Sequence, residues 1–148
     1  MSFYGLVDGS EASLKSYLNN LSGVDQVGAE ARAAMLATRS IKTTSKRWAI
    51  ETAITMVDLT TLEGADTPGK VKALCTKAVR PDPTDSSVPS VGAVCVYNDM
   101  VSVARTHLDL IGGKHVPVAA VSTAFPSGRA SMAVKIQDTQ DAIDAGAA

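Results

Sequence analysis

The stretch MVDLTTLEGADTPGKV (residues 56–71) decides how the rest of the chain is read. It leaves an apolar run through Asp58 and two threonines, then sets Asp66, Thr67 and Pro68 ahead of residues with helical spacing. The run ITMVDL (54–59) is β-branched and too brief for a helix, which predicts a strand. DTPGKVKALCTKAV (66–79) predicts a helix: Asp66 or Thr67 can cap it, Pro68 suits its first turn, and Val71, Leu74, Cys75 and Ala78 form one apolar stripe.

The unit recurs twice downstream. RPDPTDSSVPS (80–90) holds three of the six prolines and reads as a loop, followed by the strand VGAVCVY (91–97) and the helix NDMVSVARTHLDLIGG (98–113), closed by Gly112 and Gly113. The strand VPVAAVST (116–123), the loop AFPSGRAS (124–131) and the helix MAVKIQDTQDAIDAGAA (132–148) complete the alternation. Upstream the pattern is helical. SEASLKSYLNNLSG (10–23) places Leu14, Leu18 and Leu21 behind a Ser10 cap, with Gly23 as a stop; VDQVGAEARAAMLATR (24–39) and SKRWAIETAI (45–54) are two more helices.

Composition narrows the function. The chain has 148 residues, 45% hydrophobic and 20% charged, which suits one folded domain and argues against disorder. A formal net charge of -1 supplies no field to collect nucleic acid or an anionic membrane. Cys75 and Cys95 form no CxxC pair, so neither zinc nor a disulfide framework is signalled, and a reduced, cytoplasmic setting is expected. No run reaches the roughly 20 apolar residues that span a bilayer, and no export signal is evident at the N-terminus. His107 and His115 share no partner at metal-ligand spacing and read as surface or packing residues; Trp48, the only tryptophan, reads as a lid of its helix on the bottom of a barrel and not as a binding aromatic.

Three strands, each followed by a helix, imply parallel pairing through right-handed crossovers. A doubly wound sheet usually carries a glycine-rich phosphate loop after its first strand, and residues 58–69 have none. A barrel fits better, because its reacting groups sit where strands end, and here the ends carry Asp58 with Thr60, Cys95 with Tyr97, and Ser122 with Thr123. The expected fold class is therefore α/β: the N-terminal portion of a TIM (β/α) barrel, three strand–helix units (56–148) preceded by lead-in helices (1–55).

MVDLTTLEGADTPGKVKALCTKAV (56–79), VGAVCVYNDMV (91–101) and VAAVSTAFPSGRAS (118–131) closely resemble, in order and spacing, the first three strand–helix units of deoxyribose-phosphate aldolases. RSIKTTSKRWAIETAI (39–54) is similar to the lead-in helix of that family, so the resemblance covers roughly residues 39–146. It implies reversible cleavage of 2-deoxyribose 5-phosphate to acetaldehyde and glyceraldehyde 3-phosphate, through a lysine Schiff base and with no metal or organic cofactor. By that resemblance the reactive lysine, the lysine that lowers its pKa and a proton-moving acid all belong to strands beyond residue 148. Lys70, Lys72, Lys77, Lys114 and Lys135 read as solvated surface charges, so no catalytic residue is assigned within the chain.

The resemblance implies a substrate-binding role for three residues. Asp58 would accept hydrogen bonds from sugar hydroxyls or a lysine, Thr60 would offer a hydroxyl to a sugar oxygen, and Cys95 would lie beside the pocket. Each has a plainer reading: a strand-ending acid, a β-branched residue leaving a strand, and a small buried hydrophobe. Asp66 and Thr67 read as helix-capping residues. FPSGRAS reads as a tight connection, not a phosphate loop, although Arg129 could face a ligand mouth. The expected partners are a sugar phosphate and, because three strands leave a sheet unclosed, a second copy or a C-terminal half. The alternatives are a non-catalytic half-barrel for binding or assembly, and an unrelated small α/β binding domain.

Overall fold

The computed structural model describes residues 10–148, and the chain divides between Ile41 and Lys42 into two compact units. The first contains α1 (Glu11–Asn19) and α2 (Gln26–Ala37). Both start as their sequences dictate: the Ser10 hydroxyl accepts the Ser13 N–H at 3.1 Å, and the Asp25 carboxylate accepts the Gly28 N–H at 2.9 Å. α1 stops earlier than Gly23, at Asn19, where Asn20 turns its side-chain amide onto the Ser16 carbonyl at 2.9 Å.

The second unit holds α3 (Thr43–Met56), β1 (Asp58–Thr60), α4 (Pro68–Val79), β2 (Ala93–Tyr97), α5 (Asn98–Leu110), β3 (Val118–Val121) and α6 (Met132–Asp144). The three strands are parallel in the order β1-β2-β3. Asp58 stands opposite Ala93 and Thr60 opposite Cys95, while Cys95 also stands opposite Ala119 and Tyr97 opposite Val121.

α3 runs past the expected 45–54, keeping Ile54 and absorbing Thr55 and Met56, so the first strand is shorter than ITMVDL. Extending an existing helix gains a hydrogen bond for each residue fixed, whereas a strand needs a neighbour in register. That neighbour begins at Val57, whose carbonyl accepts the Gly92 N–H at 2.9 Å. Gly92 is needed for this approach, since a Cβ there would lie 2.8 Å from the Thr55 carbonyl oxygen. The other strands also lose their flanks, β2 starting at Ala93 and β3 ending at Val121. Trp48, on α3, is 69% exposed.

One face of the sheet makes the core. Strand alternation turns Val94, Val96 and Val118 toward the helices, where they are buried with Val71, Cys75 and Ala78 of α4 and Val101, Ala104 and Leu108 of α5. Leu59 and Ala120 pack against the same cluster. Asp58, Thr60, Ala93, Cys95, Ala119, Tyr97 and Val121 therefore share the opposite face, and none of them is buried. α6 buries Ala142 and leaves Met132, Ile136 and Ile143 exposed. After α6 the backbone returns to the sheet, where the Ala148 N–H donates to the Val118 carbonyl at 3.0 Å. No helix among the described residues is long and apolar enough to cross a membrane.

Candidate functional site

β1 enters a loop through Thr61, the one polar residue buried with the core among those described. Its N–H donates to the Cys95 carbonyl at 3.1 Å, continuing the β1–β2 ladder past the last strand residue. Its hydroxyl donates to Asp66 Oδ1 at 2.8 Å, and Asp66 Oδ2 accepts the Glu63 N–H at 3.0 Å. Lys70, in the first turn of α4, places its ammonium 2.7 Å from both Asp66 Oδ1 and Glu63 Oε2. The Asp66 side chain is only 6% exposed. Lys70, then the Glu63 N–H and the Thr61 hydroxyl, hold its carboxyl below the ordinary range against the opposing effect of burial.

The two capping candidates thus have different roles. Thr67 caps α4, its hydroxyl accepting the Lys70 N–H at 3.3 Å, while Asp66 turns back to the end of β1. Lys70 is likewise not a free surface charge: both carboxylates raise its pKa, Asp66 first. No sequence pattern distinguished Asp66 from an ordinary helix-start acid, because its partner Thr61 is identified only by the direction of the turn.

The three residues implied as substrate-binding come together. Asp58 and Thr60 point to the open face from β1, and Cys95 occupies the register position beside Thr60 on β2. The Cys95 thiol is pushed up, first by burial and also by the nearby Asp58 carboxylate, while the neighbouring Thr60 works the other way. Cys75 is different, lying buried against α5 with its Sγ 3.8 Å from the Ala104 carbonyl; burial raises its pKa too.

The ends of β2 and β3 are joined by a residue that the sequence reading left out. Asp138, on α6, accepts the Thr123 N–H at 2.6 Å through Oδ2 and the Asn98 side-chain amide through Oδ1. Asn98 also donates to the Asp138 carbonyl at 2.8 Å. Thr123 and Ala124 both adopt left-handed backbone, φ 64° and 61°, which costs free energy for residues with a Cβ and needs such a tie to hold it. A cavity of about 350 Å³ opens beside them, lined by Tyr97, Asn98, Asp99, Phe125 and Asp138 among others. Asp58, Thr60 and Cys95 do not line it.

Among the described residues no group of three His, Cys, Asp or Glu could hold a metal ion. His107 contacts the Thr76 hydroxyl at 3.1 Å and His115 the Ser90 hydroxyl at 3.0 Å, as packing histidines do. The lysines of residues 42–148 lie on helices or connections, and none lies within β1, β2 or β3.

No family model matches the chain. Among solved structures it is similar to "a putative deoxyribose-phosphate aldolase from Coccidioides immitis", at 26% identity and a TM-score of 0.55 over 66% of this chain. The chain spans 34% of that protein's length. The described residues thus form a small three-stranded parallel sheet with helices on one face, and this arrangement resembles a fragment of an aldolase TIM barrel.

Proposed function

We propose that this chain supplies the first three strand–helix units of a deoxyribose-phosphate aldolase, and that its open sheet face is one wall of the sugar phosphate site. The observation behind the reading is the alignment of Asp58, Thr60 and Cys95 on that one face, in a chain with a likeness to an aldolase barrel. On this reading Asp58 accepts a hydrogen bond from a sugar hydroxyl or from the reactive lysine, Thr60 bonds a sugar oxygen, and Cys95 lies beside the substrate. The imine-forming lysine and its partners come from further strands, and the reaction uses no metal or organic cofactor. The pathway is deoxyribonucleoside breakdown in the cytoplasm.

The β3 edge and the exposed α6 residues are where those further units would pack. The 148-residue chain alone is expected to bind a hydrophobic dye and to self-associate, because an unpaired strand edge and an uncovered apolar surface both seek partners. Gel filtration and melts at several concentrations would show this. A cooperative monomer with a concentration-independent melt and no dye binding would favour a finished, non-catalytic binding module instead.

The enzymatic reading is tested by reading the gene past residue 148 and expressing the extended protein. Strands carrying lysines are expected there. In that protein Asp58→Asn should reduce turnover on the order of 10²-fold with little change in melting temperature. Deoxyribose 5-phosphate should protect Cys95, but not Cys75, from a thiol reagent. Equal protection of the two cysteines would remove Cys95 from the site.

A further inference from the structure

Asp66 is chemically conspicuous. A carboxylate that ends a loop usually stays in water, yet this one is enclosed and spends every oxygen on fixed partners. It is also one residue removed from the strand-end face. Thr61, which it holds by the hydroxyl, is bonded through its N–H to the carbonyl of Cys95 itself. Thr60 stands next in the chain and is paired across the ladder with Cys95. The torsions that aim the Thr60 side chain are therefore bounded on one side by β2 and on the other by Asp66.

We propose that Asp66 is a positioning residue: by fixing Thr61 and the Glu63 N–H it holds the end of β1 so that Thr60 stays beside Cys95 on the open face. Its importance for catalysis rests on the aldolase reading above, while the positioning itself does not. The arrangement follows from the bonds each group can make. Thr61 has one hydroxyl proton, and Asp66 Oδ1 takes it; the loop must then turn within reach of Oδ2, which captures the Glu63 N–H. Lys70 neutralises the carboxylate from α4 and is shared with Glu63, so the strand end is fastened to the start of the helix that follows it. Without Asp66, the buried Thr61 hydroxyl has to find a new acceptor, and the turn that carries Thr60 loses its reference point.

The thiol of Cys95 reports on this directly, because Thr60 stands beside it across the ladder and acts to lower its pKa, while burial and Asp58 raise it. The experiment measures the rate of Cys95 alkylation against pH on the 148-residue chain, with Cys75 resolved separately by peptide mass. Thr60→Val should move the midpoint to higher pH and slow alkylation at pH 8 about three- to tenfold. Asp66→Ala should move it in the same direction, and Asp66→Ala combined with Thr60→Val should move it no further than Thr60→Val alone. Asp66→Asn keeps the size and one acceptor, so it should give a smaller shift and serves as the test should the alanine variant not fold. A lower melting temperature with an unshifted Cys95 midpoint, or shifts of Asp66 and Thr60 variants that simply add, would overturn the proposal and leave Asp66 a stabilising residue only. No substrate enters this measurement. A shifted midpoint in a protein whose Cys95 the sugar phosphate fails to protect would therefore uphold the positioning and remove Cys95 from the sugar phosphate site.

Discussion

Borohydride reduction of the 148-residue chain in the presence of deoxyribose 5-phosphate is expected to leave its mass unchanged, and no acetaldehyde should be released. Class I cleavage needs an uncharged lysine amine at the carbonyl carbon, so that the protonated imine can accept the electrons of the breaking C–C bond. No lysine of residues 42–148 lies within a strand. Lys70 is tied to the loop that leaves β1, but Asp66 and Glu63 each hold its ammonium at 2.7 Å and raise its pKa, which favours the charged, non-nucleophilic form. Removing a covalent nucleophile costs on the order of 10⁶ in turnover where it has been measured in other enzymes. Mass spectrometry of the reduced protein decides the matter, and a stable adduct on Lys70 or on any other lysine here would refute the assignment.

Leu108→Ala should destabilise the second unit by about 2–5 kcal/mol, whereas Leu110→Ala on the same helix should stay within about 0.5 kcal/mol. Leu108 is fully buried and packs with valines of the sheet, so truncation removes its transfer free energy and leaves a cavity. Leu110 is 78% exposed, so little packing is lost when it is shortened. Urea unfolding of the two variants beside the parent measures both values. Equal losses would mean that α5 does not present the face described, and would undo the division of the sheet into a packed side and an open side.

That division shows where sequence reading succeeds. Val94 and Val96 alternate with Ala93, Cys95 and Tyr97, and a period of two assigns the valines to one face whatever the rest of the chain does. Ser10, Thr67 and Ser131 each precede a helix and accept the N–H three residues on, because a hydroxyl at that position meets an orphan donor by local geometry alone. The order of strands and helices was legible for the same reason. The end of α3 was not, because Ile54 through Met56 satisfy a strand pattern and a helix pattern equally, and the choice falls to whichever neighbour pairs with them.

The site divides along the same line. By their sequence positions Asp58, Thr60 and Cys95 are strand-end residues, and their side chains reach one surface only because β1 and β2 pair in the register that sets Thr60 beside Cys95. That register depends on bonds between residues about 35 apart, Thr61 to Cys95 and Val57 to Gly92. The roles of Asp66 and Asp138 lay outside what the sequence determined. One reads as an ordinary helix-start acid and the other is an acid within α6, and each acquires its role from donors that another segment delivers: Thr61 and the Glu63 N–H in one case, Asn98 and the Thr123 N–H in the other. Short-range chemistry, the caps and the alternation, is written in the order of residues. Which carboxylate meets which donor across a turn is decided only when the backbone has closed, because the free energy of those bonds depends on distances that no spacing in the chain prescribes.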